Sequence, residues 1–225
     1  MQWLKNYQLF LFDLDGLLVN TEHLHYQAYQ AMCRNRGFEL PWNMEKYCTV
    51  AHYHDELKRH IYADIPALQA QEPDWKVLYQ EKKRAFLDLV SQGGVQLMPG
   101  VERLLIELQA QGINRAVVTH SMQELVDSIR EKLPVLNTIP HWITREHYTK
   151  AKPSPECYFA AVRILSKPGD RIIGFEDTPR GMAALSQAPV DAVWISDIPY
   201  PEIPQFVALG ARHFNNFLDV LEGGE

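Results

Sequence analysis

A pair of acidic residues follows an apolar run near the start of the chain. The stretch LFLFDLDG places Asp13 and Asp15 directly behind four apolar residues, with Gly16 after them. Carboxylates at the end of a buried run are costly unless another group compensates their charge. One such carboxylate can attack phosphorus as a nucleophile, and a second can serve as general acid and base. Taken alone, however, the pair is equally compatible with a turn or a helix cap.

Other polar residues recur where later apolar runs end. Because the carboxyl ends of parallel strands meet at one edge of a sheet, we expect these residues to lie close to the aspartates. Carboxylates in such a group would repel one another unless a hard cation such as Mg²⁺ joined them, and a lysine and a hydroxyl could hold a phosphate. The residues are Thr119 and His120 after the second run, Lys152 in KPSPE, and Glu176 and Asp177 after RIIGF.

The elements that must position these residues alternate between strands and helices. This alternation predicts an α/β fold, a Rossmann-like three-layer core with a central parallel sheet. Ser121 with Glu124 forms a predicted capping box, and Ser154 and Thr178 are predicted N-caps, each followed by proline. We predict strands at 9–12, 115–119, 141–143, 171–175 and 191–196, a helix at 101–108, a short element at 211–214 and a final helix.

A segment of different character interrupts the alternation after the first strand. Residues 20–93 show helical spacing and no strong strand, with breaks near Pro41 and at Ile65–Pro66. We therefore predict an α/β core over 1–19 and 94–225, with an inserted α-helical cap domain over 20–93. The glycine pair at 93–94 suits a hinge.

Composition narrows the classes of function. The chain has 225 residues and a formal net charge of −6, and it contains no basic run, which disfavours nucleic acid as a partner. Its three cysteines form no CxxC pair, which suits a reducing compartment. No apolar run is long enough for a membrane span, and the first residues do not resemble a signal peptide. We expect a cytoplasmic protein without membrane partners, for which a monomer is adequate.

Four motifs in order resemble those of the haloacid dehalogenase superfamily. They are DLDG at 13–16, THS at 119–121, KPSPE at 152–156 and FEDTPRG at 175–181. The resemblance implies that Asp13 is the nucleophile and Asp15 the acid and base, and that Thr119 and Lys152 bind phosphate. It also implies a Mg²⁺ site formed by Asp13, the Asp15 carbonyl and Asp177, with Glu176 in or near it. Asp15 argues against dehalogenation, because the dehalogenases lack this second aspartate.

The cap position is similar to that of the branch containing phosphatases of small metabolites and β-phosphoglucomutase. We expect a Mg²⁺-dependent phosphatase of a small phosphorylated metabolite, a sugar phosphate being one candidate, acting through an aspartyl phosphate. A sugar-phosphate mutase is the alternative, although the stretch at 49–57 lacks the arginine that β-phosphoglucomutase uses. A catalytically idle binding module on the same fold is the third reading.

The histidines of the cap admit a separate reading. His23 and His25, and His52 and His54, are spaced as His-x-His, which raises the question of zinc. Residues two apart on a helix do not face each other, and no cysteine or acid stands beside them at ligand spacing, so we do not expect zinc. His25 follows Asp13 by twelve residues, as a histidine of β-phosphoglucomutase does. We therefore keep His25, with His120, as a candidate for contact with the substrate.

Overall fold

The protein is described by a computed structural model, which covers residues 2–53 and 57–223. Six parallel strands form one sheet in the order β3-β2-β1-β4-β5-β6. The expected parallel α/β architecture is therefore confirmed, and β1 lies at its centre. The strands are β1 (Leu9–Phe12), β2 (Asn114–Val118), β3 (His141–Ile143), β4 (Ile172–Glu176), β5 (Asp191–Ile195) and β6 (Arg212–Phe214).

The sheet is covered on both faces. Alternate residues of β1 point to opposite sides, so that Phe10 and Phe12 enter one apolar cluster and Leu9 and Leu11 enter another. All four are completely buried, which explains why this strand is a continuous apolar run. The helices are α1 (Glu22–Asn35), α2 (Met44–Tyr53), α3 (Leu57–Asp64), α4 (Pro66–Gln71), α5 (Trp75–Ser91), α6 (Val101–Ala110), α7 (Gln123–Lys132), α8 (Glu156–Leu165), α9 (Pro179–Leu185), α10 (Ile203–Ala208) and α11 (Phe217–Gly223).

Helices α6, α7 and α11 pack on the face of Phe10 and Phe12, whereas α8 and α9 pack on the face of Leu9 and Leu11. This gives the three-layer core that the alternation predicted. Short 3₁₀ helices at Trp3–Asn6, Pro134–Thr138 and Arg145–His147 complete the connections.

Helices α1 to α5 occupy the segment predicted as a cap. The described part of residues 20–93 contains no strand, and the helices enclose a separate apolar cluster that includes Tyr29, Met32, Tyr47 and Leu78. The two connections to the core run side by side, because Asn20 N donates to Gln96 O and Met98 N donates to Leu18 O at 2.8 and 2.9 Å. The domain boundaries themselves stay a prediction.

Two predicted helix starts need correction. Ser121 does not form a capping box, because α7 begins at Gln123 and its N-terminal position is Met122. The α8 helix begins at Glu156 with Pro155 before it, so Ser154 is not the N-cap, although its Oγ accepts a 3.4 Å hydrogen bond from Glu156 N. Thr178 is confirmed as the N-cap of α9, since its hydroxyl accepts from Gly181 N at 3.1 Å.

Candidate active site

Asp13 lies immediately after β1 and is paired with a buried lysine. Lys152 Nζ donates to Asp13 Oδ1 at 2.6 Å, to Glu176 Oε1 at 2.6 Å and to Val118 O at 3.0 Å. Burial alone would lower the pKa of Lys152, but the two carboxylates hold it well above its ordinary value. The lysine is therefore a fixed positive charge beside the first aspartate.

A group of three carboxylates forms where β1 and β4 end. Oxygen atoms of Asp13, Glu176 and Asp177 all lie within 4.8 Å of one another. Asp177 Oδ1 is buried and makes no hydrogen bond to any residue that the structure describes. Burial raises the pKa of Asp13 to about 7 and that of Asp177 well above its usual range. Lys152 supplies one positive charge against three carboxylates, so the site has the composition of a hard-cation site.

Gly16 leaves the space that the Asp177 carboxylate occupies. Its φ is +81°, a left-handed conformation that residues other than glycine rarely adopt. A Cβ built at this position would also collide with the Asp177 carboxylate. The glycine of DLDG is thus required by both the turn and the approach of Asp177.

Asp15 stands in different surroundings. Its Oδ1 accepts a 2.6 Å hydrogen bond from the Thr21 hydroxyl and lies 3.1 Å from His25 Nε2. Its Oδ2 accepts from the Ser121 hydroxyl at 2.6 Å and from that of Thr119 at 3.4 Å. Burial would raise the pKa of Asp15, but these neighbours, His25 foremost, hold it well below its usual range. Its side chain therefore belongs to a hydrogen-bonding set separate from the three carboxylates.

His25 connects this set to the cap. Its Nδ1 lies 2.6 Å from Lys82 Nζ on α5, and its ring stacks on Phe86 with centroids 4.3 Å apart. Burial lowers the pKa of Lys82 to about 8. His25 lines the cavity and is also bonded to Asp15, so its role as a substrate contact stays a prediction.

The two residues after β2 differ in their surroundings. The Thr119 hydroxyl accepts from Ser121 N at 3.0 Å and points toward Asp15, so Thr119 joins the expected group. The His120 ring lines the cavity beside the site, and its Nδ1 makes no hydrogen bond to a described residue. Burial lowers the pKa of His120 to about 3, with a further contribution from nearby Arg180. A neutral ring facing the cavity can contact a substrate but cannot add positive charge.

Residues that the sequence analysis did not propose for the site complete it. Ser121 was assigned to a helix cap, yet its hydroxyl is bonded to Asp15. Tyr158 donates to Glu176 Oε1, and Lys82 supports His25. The THS motif contained Ser121 and offered a signal for it. Lys82 lies far along the chain in a cap helix, where no local pattern marks it.

The site opens into one cavity between the core and the cap. Its volume is about 560 Å³, and it is lined by Asp13, Asp15 and Lys152 from the core and by aromatic and basic residues of the cap. The cap residues that line it include Tyr29, Tyr47, Lys58, Trp75, Tyr79 and Lys82. A bound molecule would therefore contact both parts of the protein.

Residues 10–195 match the family model of the haloacid dehalogenase-like hydrolases, and the chain belongs to this family. The match spans the four motifs and the segment between them. The protein is therefore an enzyme of the hydrolase class, as the resemblance predicted, and the family is one whose members generally depend on a metal.

Individual relatives agree with this assignment. The chain is 26% identical over 183 residues to Protein CbbY of Rhodobacter capsulatus, covering 79% of this chain and 80% of the relative. It is 26% identical over 190 residues to validoxylamine A 7'-phosphate phosphatase of Streptomyces hygroscopicus subsp. limoneus, covering 84% and 86%. The crystal structure of CbbY from Rhodobacter sphaeroides in complex with phosphate superposes with a TM-score of 0.79 at 23% identity, covering 95% and 96% of the two chains. This structural likeness supports the fold, including the helical cap.

Within the described ranges, 2–53 and 57–223, no helix is both long enough and apolar enough to cross a membrane.

Proposed function

We propose that the protein is a Mg²⁺-dependent phosphatase that hydrolyses a small phosphorylated metabolite through a phosphoryl group carried by Asp13. The observation that carries this proposal is the separation of two aspartates, two residues apart, into different environments at one cavity. Asp13 stands with Lys152 and Asp177, whereas Asp15 is held by hydroxyls and a histidine. One carboxylate is thus placed with positive charge and a cation site, and the other with groups that control a proton.

The residues present fit a magnesium ion. Asp177 Oδ1, buried and without a hydrogen bond, is a suitable ligand, and Asp13 lies within reach of it. We propose that these two side chains, together with the Asp15 carbonyl, hold Mg²⁺. Glu176 Oε1 is already bonded to Lys152 and Tyr158, so we assign Glu176 to the orientation of Lys152. Bound there, Mg²⁺ would supply positive charge that favours ionised Asp13 and neutralises phosphoryl oxygens.

The side chains then divide the chemistry. A carboxylate oxygen of Asp13 attacks phosphorus, the bond from phosphorus to the ester oxygen breaks, and Asp15 donates a proton to the leaving alcohol. Asp15 next takes a proton from water, which attacks the acyl phosphate and releases inorganic phosphate and free Asp13. Lys152 and the Thr119 hydroxyl bind the phosphoryl oxygens, and His25 holds Asp15 in position.

The substrate follows from the cavity and from the relatives. One relative is named as a phosphatase of a phosphorylated small molecule, and the crystal structure of CbbY contains phosphate. The cavity volume and its lining by residues of both the core and the cap suit a metabolite rather than a polymer. We propose a phosphorylated small metabolite, with sugar phosphates the first candidates, as the substrate of a cytoplasmic monomer, with His120 on the substrate side.

A panel of phosphorylated metabolites, assayed for free phosphate with and without Mg²⁺, tests the proposal. We expect Mg²⁺-dependent release, and a fall of at least about 10⁴-fold in Asp13→Asn, because the nucleophile is lost. Asp127→Asn is the matched control, since this side chain is 58% exposed on α7 and should leave turnover unchanged.

Three results would contradict the proposal. Unchanged turnover in Asp13→Asn would remove Asp13 as the nucleophile. Isomerised sugar phosphate without free phosphate, dependent on a bisphosphate primer, would indicate the mutase. Absence of any Mg²⁺-dependent activity across the panel would favour a binding module.

A further inference from the structure

Three side chains of different ligand chemistry meet on the cap helices, in a group distinct in its ligands from the magnesium site proposed above but next to it in space. They are Glu22 at the start of α1, and Cys48 and His52 on α2. One ligand atom from each lies within 4.8 Å of the other two. His52 is only 4% exposed, whereas the other two are partly exposed. The group contains a thiol, an imidazole and a carboxylate, which are the ligands that zinc uses in proteins.

The orientation of His52 is fixed from its other side. The Tyr200 hydroxyl and His52 Nδ1 are hydrogen-bonded at 2.5 Å. The opposite nitrogen, Nε2, therefore faces the group and lies 3.3 Å from Glu22 Oε2. Beyond this ion pair and the adjacent Cys48 thiol, neither buried atom has a hydrogen-bond partner among the described residues. A metal-binding histidine is usually held in this way, through a hydrogen bond at the nitrogen that does not bind the metal.

This arrangement removes one premise of the expectation drawn from the histidine spacing. That expectation rested on the absence of an acid or cysteine beside the His-x-His pairs. For His52 this premise is wrong, because Cys48 lies four residues earlier on the same helical face and Glu22 approaches from α1. His54, the other member of the pair, lies outside the described residues.

We propose that Glu22, Cys48 and His52 form a binding site for Zn²⁺ or a similar thiophilic divalent ion. The site differs in kind from the carboxylate group at Asp13, because Mg²⁺ prefers oxygen ligands and does not use thiolate. Binding displaces a proton from the Cys48 thiol and from a protonated His52, and the metal takes the place of the Glu22–His52 ion pair.

A metal ion bound at this site would affect the enzyme, because the site adjoins the active-site cavity. Glu22 and His52 line the same cavity as Asp13. Three protein ligands leave a tetrahedral ion one open position, which can take water or an anionic oxygen of a bound molecule. A thiophilic ion held here would obstruct the cavity and inhibit the phosphatase. This consequence rests on the proposed function, whereas binding of the metal does not.

Cobalt binding tests the site without any measurement of activity. Co²⁺ is titrated into the substrate-free protein with excess Mg²⁺ present to occupy oxygen sites. We expect a thiolate-to-cobalt charge-transfer band that saturates at one ion per chain and disappears on addition of Zn²⁺. The band should be absent in Cys48→Ala and retained in Cys33→Ala, a cysteine buried elsewhere in the cap.

Tyr200→Phe separates a ligand site from a chance absorbance. It removes only the oxygen that orients His52, so the band should persist while the affinity for Co²⁺ falls about 10- to 100-fold. His52→Gln should weaken binding further. Absence of the band in the wild-type protein, or its persistence in Cys48→Ala, would overturn the proposal. Either result would leave the phosphatase proposal standing, because no substrate takes part.

Discussion

Asp13 and Asp15 are separated by one residue, yet their partners come from different parts of the molecule. Asp13 is surrounded by the core, through Lys152 after β3 and Asp177 after β4. Asp15 is bonded to Thr21 and His25 at the start of the cap as well as to the core. The half of the site that we propose to bind the phosphoryl group is therefore built on the sheet. The half that we propose to transfer protons depends on where the cap lies.

The electrostatics of the two halves are opposite. Burial among carboxylates raises the pKa of Asp13 to about 7, whereas hydrogen bonds hold that of Asp15 below its usual range despite burial. The proposed mechanism requires the reverse, an ionised Asp13 and a protonated Asp15. Ligands can supply this reversal, because a cation at Asp177 favours ionised Asp13 and a nearby phosphate dianion raises the pKa of Asp15.

Replacement of Asp15 should have the largest effect on this contrast. We expect Asp15→Asn to lower kcat on the order of 10³-fold, because the general acid and base is lost. Its affinity for Mg²⁺ should change little, since the side chain lies outside the carboxylate group. Asp177→Asn, by comparison, should weaken Mg²⁺ binding first. Calorimetric Mg²⁺ titration of both variants decides the point, and equal weakening in the two would break the distinction.

The histidine on the cap side should have a smaller effect. His25→Phe keeps the stacking on Phe86 but removes the contact with Asp15, so we expect kcat to fall roughly tenfold. Because His25 lowers the pKa of Asp15, its loss should raise that pKa and shift the corresponding limb of the pH–rate profile upward. His23→Phe, two residues earlier on the same helix, is the control. A profile identical to that of the wild-type protein would remove His25 as a positioning residue.

The residues of the core half were easier to predict from the sequence than those of the cap half, for a physical reason. Asp13, Lys152 and Asp177 each follow or adjoin a parallel strand, and parallel strands bring such positions to one edge. The positions of β1 to β5 along the chain were predicted from the same alternation, whereas their order in the sheet was not. The short strand β6 is three residues long and half-buried, which explains why its pattern indicated only a short element.

The contacts of the cap half were harder to predict from the sequence, because they depend on tertiary packing. Lys82 reaches His25 across 57 residues, and no spacing rule joins the two. Ser121 fits a capping box equally well by residue type, and only the position of Asp15 decides its role. The approach of Glu22 to His52 likewise follows from the packing of α1 against α2. Local patterns locate helices in the cap but not which of their side chains meet.

The contacts of His52 with Cys48 and Glu22 within the cap should produce the smallest effect. Burial lowers the pKa of His52, but contact with Cys48 and Glu22 outweighs this and raises it to about 10. The stabilisation is therefore fully present below the ordinary pKa of 6.5 and is lost as the pH rises through 10. Without added metal, we expect His52→Gln to lower the free energy of unfolding by on the order of 2 kcal/mol at neutral pH. The free energy of unfolding of this variant should also vary less with pH than that of the wild-type protein.

Urea unfolding measured between pH 6.5 and about pH 10 provides the test, with His60→Gln on α3 as the control. A wild-type free energy of unfolding that stays constant over this range would contradict a protonated His52.

The most direct test of the central claim is chemical trapping of the phosphoryl group on Asp13. Enzyme, Mg²⁺ and a substrate identified by the panel are quenched during turnover, reduced with borohydride and analysed by peptide mass spectrometry. We predict that the acyl phosphate is reduced to an alcohol at position 13. Reduction at another residue, or none during active turnover, would contradict the assignment of Asp13 as the nucleophile.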